Sequence, residues 1–202
     1  MKTTINELRA FTMNYSTNEE NGKTSYQRLD NWLHEPIIKT LVKNQNWFLL
    51  SELMQYFFKS TDCGKYGKMF EIMIKLYLNG YKGNSCIVSA RGKVDVTWQG
   101  HKIEVKSNCG ELDDVTKSDY VIYTYDNQCD VAFPSDARIT TVDNFMNSLS
   151  ELNLIRMKKT TSGYIKRTIQ SYKNSKKKFT AWTDTVDRWL KIEQVKSGLY
   201  EV

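Results

Sequence analysis

The chain has 202 residues and a net charge of +6, with 40% hydrophobic and 26% charged residues, which suits one substantial core or a core with a small appendage. No stretch approaches the roughly 18 uninterrupted apolar residues of a membrane span, and the opening MKTTINELRAF lacks the apolar run of a secretory signal, so a cytoplasmic protein with no membrane partner is expected. The four cysteines (Cys63, Cys86, Cys109, Cys129) are widely spaced with no CxxC pair, and the only histidines are His34 and His101, so a zinc or iron–sulfur site has little support and free thiols are expected.

The spacing predicts a short helix over residues 1–13 and a polar loop over 14–23. Residues 26–41 carry Leu29, Trp32, Leu33 and Ile37 at helical spacing, with Pro36 placed to kink or break the helix. Residues 46–59 form a strongly apolar helix with Ser51 as a candidate cap. Over 67–79, Phe70, Met73, Ile74 and Tyr77 make an i, i+3, i+4, i+7 stripe that ends at Asn79-Gly80. A strand over 86–90 leads into a hairpin, and YVIYTY (120–125) reads as a buried strand. Short extensions at 130–133 and 138–140 precede a helix over 142–152. Residues 154–158 and 164–170 bracket a Thr-Ser-Gly turn, a second hairpin, and 179–191 close the chain as an amphipathic helix. This order indicates an α/β domain with helices packed on a central sheet.

The hairpin GKVDVTWQGHKIEVK carries the chemistry. Val94 and Val96 flank Asp95, Ile103 and Val105 flank Glu104, and Gln99-Gly100 lies between. With Gln99-Gly100 as a two-residue loop, or 98–101 as a four-residue one, paired positions sum to 199, so Asp95 lies opposite Glu104 with Lys106 on the same face; a three-residue loop with a bulge would shift the register. Like charges placed directly opposite are unfavourable. Either Lys93 and Lys106 neutralise the acids in a surface cluster, or a divalent cation such as Mg²⁺ does so.

Asp95 followed by Glu104-Val105-Lys106 resembles the PD-(D/E)xK nuclease superfamily, with its restriction-endonuclease-like fold. The resemblance covers about a third of the chain, and Val94 stands where the family name has proline. No glutamine-tyrosine motif of the RecB-like branch is present, which leaves the subfamily open. The resemblance implies a central mixed sheet flanked by helices. It assigns Asp95 and Glu104 as Mg²⁺ ligands (Mn²⁺ as a substitute) and Lys106 as the lysine that activates water and stabilises the phosphate. An acidic residue on the preceding helix often completes such a site; by position that is Glu71, whose alternative is an ion pair with Lys75 at i, i+4. Ser107 and Asn108 are candidate substrate contacts, while Glu111 and His101 read as surface. A helical region over 1–60 is expected to pack on a nuclease-like domain over 61–202, as one unit. Many relatives act as dimers, and apolar helical surface over 26–59 makes a homodimer an expectation.

Charge is distributed unevenly. From Glu104 to Glu151 ten acids meet three bases, whereas 152–183 hold no acid and nine bases: Arg156, Lys158, Lys159, Lys166, Arg167, Lys173, Lys176, Lys177 and Lys178. Such a segment suits a nucleic-acid backbone, although a merely solvated face is the alternative; DNA is the expected partner ahead of RNA, a choice the charge itself does not make. Tyr164, Tyr172, Phe179 and Trp182 alternate with the bases; stacking on unpaired bases competes with core packing, which better suits Phe179 and Trp182. Mg²⁺-dependent hydrolysis of phosphodiester bonds is therefore the leading expectation. Two rivals are a winged-helix-like binder, from the order of helix 142–152 and the following hairpin, and an inactive nuclease fold that grips a protein partner. Abundant Lys, Asn and Tyr point to an AT-rich genome, such as that of a phage or mobile element.

Overall fold

In the computed structural model, which describes residues 4–17, 23–59, 66–82, 87–88, 94–106, 111–123, 134, 137–169 and 189–197, helices come first: α1 (Ile5–Thr17), α2 (Ser25–Leu33), α3 (Pro36–Lys43), α4 (Trp47–Lys59) and α5 (Tyr66–Asn79). The helix expected over 26–41 is two helices. Pro36 has no amide hydrogen for a preceding turn, and it takes the first turn of α3, where none is needed. α2 opens on a capping box: the Gln27 amide donates to the Thr24 hydroxyl (3.3 Å), and the Thr24 amide donates to Gln27 Oε1 (2.8 Å).

Two end assignments are corrected. α1 continues past Met13 to Thr17, where Ser16 and Thr17 turn their hydroxyls back onto the Met13 carbonyl at 2.8 and 3.0 Å. At α4, Asn46 Oδ1 accepts the Leu49 amide at 3.3 Å, while Ser51 lies buried within the helix.

The chain divides into two compact units, Met1–Lys93 and Val94–Val202. The division falls beyond residue 60 and places α5 with the preceding helices. In the first unit Leu29, Trp32, Leu33, Ile38, Leu53 and Phe57 are fully buried, with the Trp32 and Phe57 rings 5.8 Å apart. Burial of α5 extends beyond one stripe, since Met69, Ile72 and Leu76 are as buried as Phe70, Met73 and Ile74. Gly80, at φ +56, ends it and donates its amide to the Leu76 carbonyl at 2.9 Å. Of the strand expected over 86–90, only Ile87 and Val88 are described, and they form a buried bend.

The second unit opens on the hairpin, β1 (Val96–Trp98) and β2 (His101–Lys106), joined as expected by Gln99 (φ 51) and Gly100 (φ 87). Positive φ at both loop positions matches the right-handed twist of the strands. A Cβ on Gly100 would meet nothing within 4 Å, so Gly100→Ala acts through backbone strain alone. We expect it to lower stability by about 1 kcal/mol in urea unfolding, with an unchanged far-ultraviolet spectrum.

β3 (Tyr120–Tyr123) lies parallel to β2, β4 (Arg138–Thr141) antiparallel to β3, and β7 (Leu190–Lys191) antiparallel to β4. Among the described residues the sheet has five strands and is therefore mixed and mostly antiparallel, in the order β1-β2-β3-β4-β7. Asp119 sets the parallel register: its amide donates to the Lys102 carbonyl (2.8 Å), and its carboxylate accepts the Lys102 amide (2.7 Å).

α6 (Val142–Glu151) starts on Thr141, whose hydroxyl accepts the Asn144 amide at 3.3 Å. Its Phe145 and Leu149 pack with Val121, Tyr123 and Trp189. The second hairpin forms as expected from β5 (Ile155–Lys159) and β6 (Ile165–Ile169), as a separate two-stranded ribbon. The helix expected over 179–191 is corrected at its end: Leu190 pairs with the buried Ile139 and extends the sheet, and α7 (Ile192–Lys196) follows. Residues 179–188 of that expectation, the extension at 130–133, and Thr124 and Tyr125 of YVIYTY lie outside the described residues.

Candidate active site

The hairpin ladder pairs Val96 with Ile103, Thr97 with Lys102 and Trp98 with His101, the register read from the sequence. Asp95 stands one step before β1 in a bend, so its partnership with Glu104 is made by side chain rather than by ladder. Its Oδ2 accepts the Val105 amide at 2.9 Å, which clamps the carboxylate to the strand bearing Glu104. Lys106 ion-pairs with Glu104, and the two side chains are only 13% and 9% exposed.

The parallel register sets Glu104 beside Val121 and Lys106 beside Tyr123, so the ion pair shares a face with the start of an apolar cluster. His101 falls on the opposite face, exposed and edge-on to Tyr120 at 5.1 Å, as a surface residue. Lys93 lies outside the described residues, as do Ser107, Asn108 and all four cysteines.

Burial raises the pKa of Glu104 above its ordinary 4.5; the negative charge of Asp95 adds to the rise and the Lys106 pair offsets part of it. The repulsion foreseen between the two acids is therefore expressed on Glu104. With its folded pKa raised, Glu104 contributes stability that is fully present below 4.5 and is lost as pH rises through the folded value. We expect Glu104→Gln to melt higher than wild type at pH 8 and the difference to vanish below pH 4.5. Cation binding would add the reverse effect. Mg²⁺ at about ten times its dissociation constant should raise the wild-type melting temperature by roughly 3–5 °C and leave Glu104→Gln unmoved.

One acidic residue was not foreseen. Asp114, exposed and ion-paired with Lys117 at 2.6 Å, bears electrostatically on both Glu104 and Lys106. It reaches the site through segment 111–117, which the fold returns to the sheet after β2. Its sequence neighbours gave no sign of this, because the signal lies in the path of the chain.

Glu71 belongs to the first unit, on α5, where it is 5% exposed. Its carboxylate pairs with Lys68, and the ammonium of Lys75, the alternative partner, donates to the Ile87 carbonyl at 3.0 Å. Among the described residues no group of three or more His, Cys, Asp and Glu side chains is placed to hold a metal ion. Within the second unit, Asp95 and Glu104 fit a hard cation that takes one or two carboxylates and completes its shell with other donors, water and phosphate oxygens.

Of the nine expected nucleic-acid contacts, Arg156, Lys158, Lys159, Lys166 and Arg167 lie on the β5–β6 ribbon, and Lys173, Lys176, Lys177 and Lys178 lie outside the described residues. The acid-free stretch is not left without counter-charge. Glu111 bridges to Thr168 and pairs with Lys166 at 2.8 Å, and Asp113 pairs with Arg167 at 3.5 Å. Glu111, expected as plain surface, thus helps to dock the ribbon. Arg156, Lys158 and Lys159 are exposed and make no ion pair among the described residues.

No protein-family model, curated protein or solved structure matches the chain. The nuclease resemblance therefore rests on Asp95, Glu104 and Lys106 and on their setting. Among the described residues, no helix is long and apolar enough to cross a membrane.

Proposed function

We propose that this protein is a divalent-cation-dependent nuclease that hydrolyses phosphodiester bonds, in DNA rather than RNA. The observation that carries the reading is Glu104: a nearly buried carboxylate whose charge is opposed by Asp95 and only partly offset by Lys106, on a hairpin with a fixed register. A site that sets two acids together at a cost to itself is suited to a cation.

Asp95 and Glu104 would hold Mg²⁺ or Mn²⁺. When bound, the ion supplies positive charge to the scissile phosphate and lowers the pKa of a water. The Val105 amide keeps Asp95 oriented without rearrangement. Lys106 places an ammonium group beside Glu104, where it stabilises charge that develops on the phosphate oxygens. The bases of the β5–β6 ribbon hold the backbone and carry no sequence information.

A winged-helix reading is disfavoured by charge, since α6 carries Asp143 and Glu151 and no base, and its Phe145 and Leu149 are committed to the core. Incubation of supercoiled, linear duplex and single-stranded DNA, and of RNA, with Mg²⁺ or EDTA tests the reading. Cation-dependent cleavage of DNA is expected. Absence of cleavage on every substrate would leave a binding module or an inactive nuclease fold.

A further inference from the structure

The β5–β6 ribbon has two unlike faces, and both are open at its outer end. Register pairs Arg156 with Thr168 and Lys158 with Lys166 on one face. The Thr160 amide donates to the Tyr164 carbonyl at 2.7 Å, which carries the pairing one step further and places Tyr164 on this basic face. Tyr164 is 61% exposed. On the other face Met157 and Ile165 are 67% and 55% exposed, paired with Arg167 and Lys159 respectively, although Ile169, nearer the root of the ribbon, is buried.

Two of these features oppose stability. Lysines directly opposite each other repel, and Glu111 answers only Lys166. Met157 and Ile165, exposed beside Arg167 and Lys159, gain nothing from water. A polyanion relieves the first, and the exposed faces of bases relieve the second. A smooth duplex offers phosphates but keeps its bases stacked.

We propose that the ribbon recognises nucleic acid with unpaired bases, Arg156 and Lys158 holding phosphates while Tyr164, on the same face, stacks on a base and Met157 and Ile165, on the opposite face, offer apolar surface to bases of a strand that rounds the ribbon. The inference rests on the nucleic-acid part of the proposed function and names its substrate class as single-stranded. Lys166 and Arg167, tied by Glu111 and Asp113, fix the ribbon to segment 111–113, and Ile169 anchors it in the core.

The test uses the full chain in EDTA, with fluorescence anisotropy on a labelled single-stranded DNA oligonucleotide and on the blunt duplex of the same sequence. Wild type should bind the single strand more tightly. Tyr164→Ala should weaken single-strand binding about 5- to 100-fold and change duplex binding less than about twofold. Met157→Ser/Ile165→Ser should show the same selectivity. Arg156→Gln and Lys158→Gln should weaken both ligands, each reducing the salt slope by about one. All these side chains are exposed, and circular dichroism checks that the variants fold.

Equal or tighter duplex binding, an equal effect of Tyr164→Ala on both ligands, or no binding to either would overturn the proposal. Selective, Tyr164-dependent single-strand binding without Mg²⁺-dependent cleavage would uphold it while removing the hydrolytic reading. Cleavage by a protein whose binding ignores Tyr164 would do the opposite.

Discussion

Lys106→Ala should slow DNA cleavage by about 100- to 1000-fold at saturating Mg²⁺, the cost of removing one preorganised charge from a reaction that develops negative charge. The ion pair with Glu104 gives the substitution a second, separable effect. Lys106 pulls the pKa of Glu104 down, so its removal lets burial and Asp95 raise that pKa further. Cation binding should then shift to higher pH. Lys106→Arg should restore the pH dependence, because the charge is kept, but recover little of the rate, because guanidinium does not occupy the same point beside Glu104. A cleavage rate for Lys106→Ala within threefold of wild type across pH 6–9 would remove the lysine from the mechanism.

Asp30→Ala should be the most destabilising of the substitutions considered. One carboxylate oxygen of Asp30 accepts the amides of both Ile87 (2.6 Å) and Val88 (3.0 Å), residues that are 0% and 7% exposed. Alanine leaves two buried donors without their acceptor, at a cost of about 3 kcal/mol. In thermal unfolding this should appear as a fall of roughly 6–12 °C. Asp30→Asn keeps an acceptor at the same place and should lose less than half as much. The acid also shapes its surroundings: burial, with the Asp30 charge beside it, pushes the Tyr81 hydroxyl up to about 12. A loss from Asp30→Ala below about 0.5 kcal/mol would mean that water reaches both amides.

The first hairpin was legible because alternation on both sides of Gln99-Gly100 marks the turn, and the turn dictates every pair behind it. The second was legible for the same reason, through Gly163 at φ +83. Pro36 announced a break but not its extent. What pattern could not show were contacts closed by the fold. The Val105 amide reaching Asp95 is a side-chain bond across strands, invisible to alternation. Glu111 and Lys166 are 55 residues apart, and their pairing appears only once segment 111–113 returns along β6. Asp114 was missed for the same reason. The wide burial of α5 was obscured because Glu71 and Lys75 break up its apolar run, yet both are drawn inside, with Lys68 and the Ile87 carbonyl as partners.

The paired carboxylates are the centre of the account, and Glu104 is the member whose environment is most unusual. The most direct measurement is the single-turnover cleavage rate of one end-labelled DNA oligonucleotide by wild type and by Glu104→Gln, in Mg²⁺ and then in EDTA. Product should form only with wild type in Mg²⁺, with Glu104→Gln reduced at least about 100-fold although it melts no lower than wild type. Equal rates for the two proteins, or a wild-type rate unchanged by EDTA, would contradict the account.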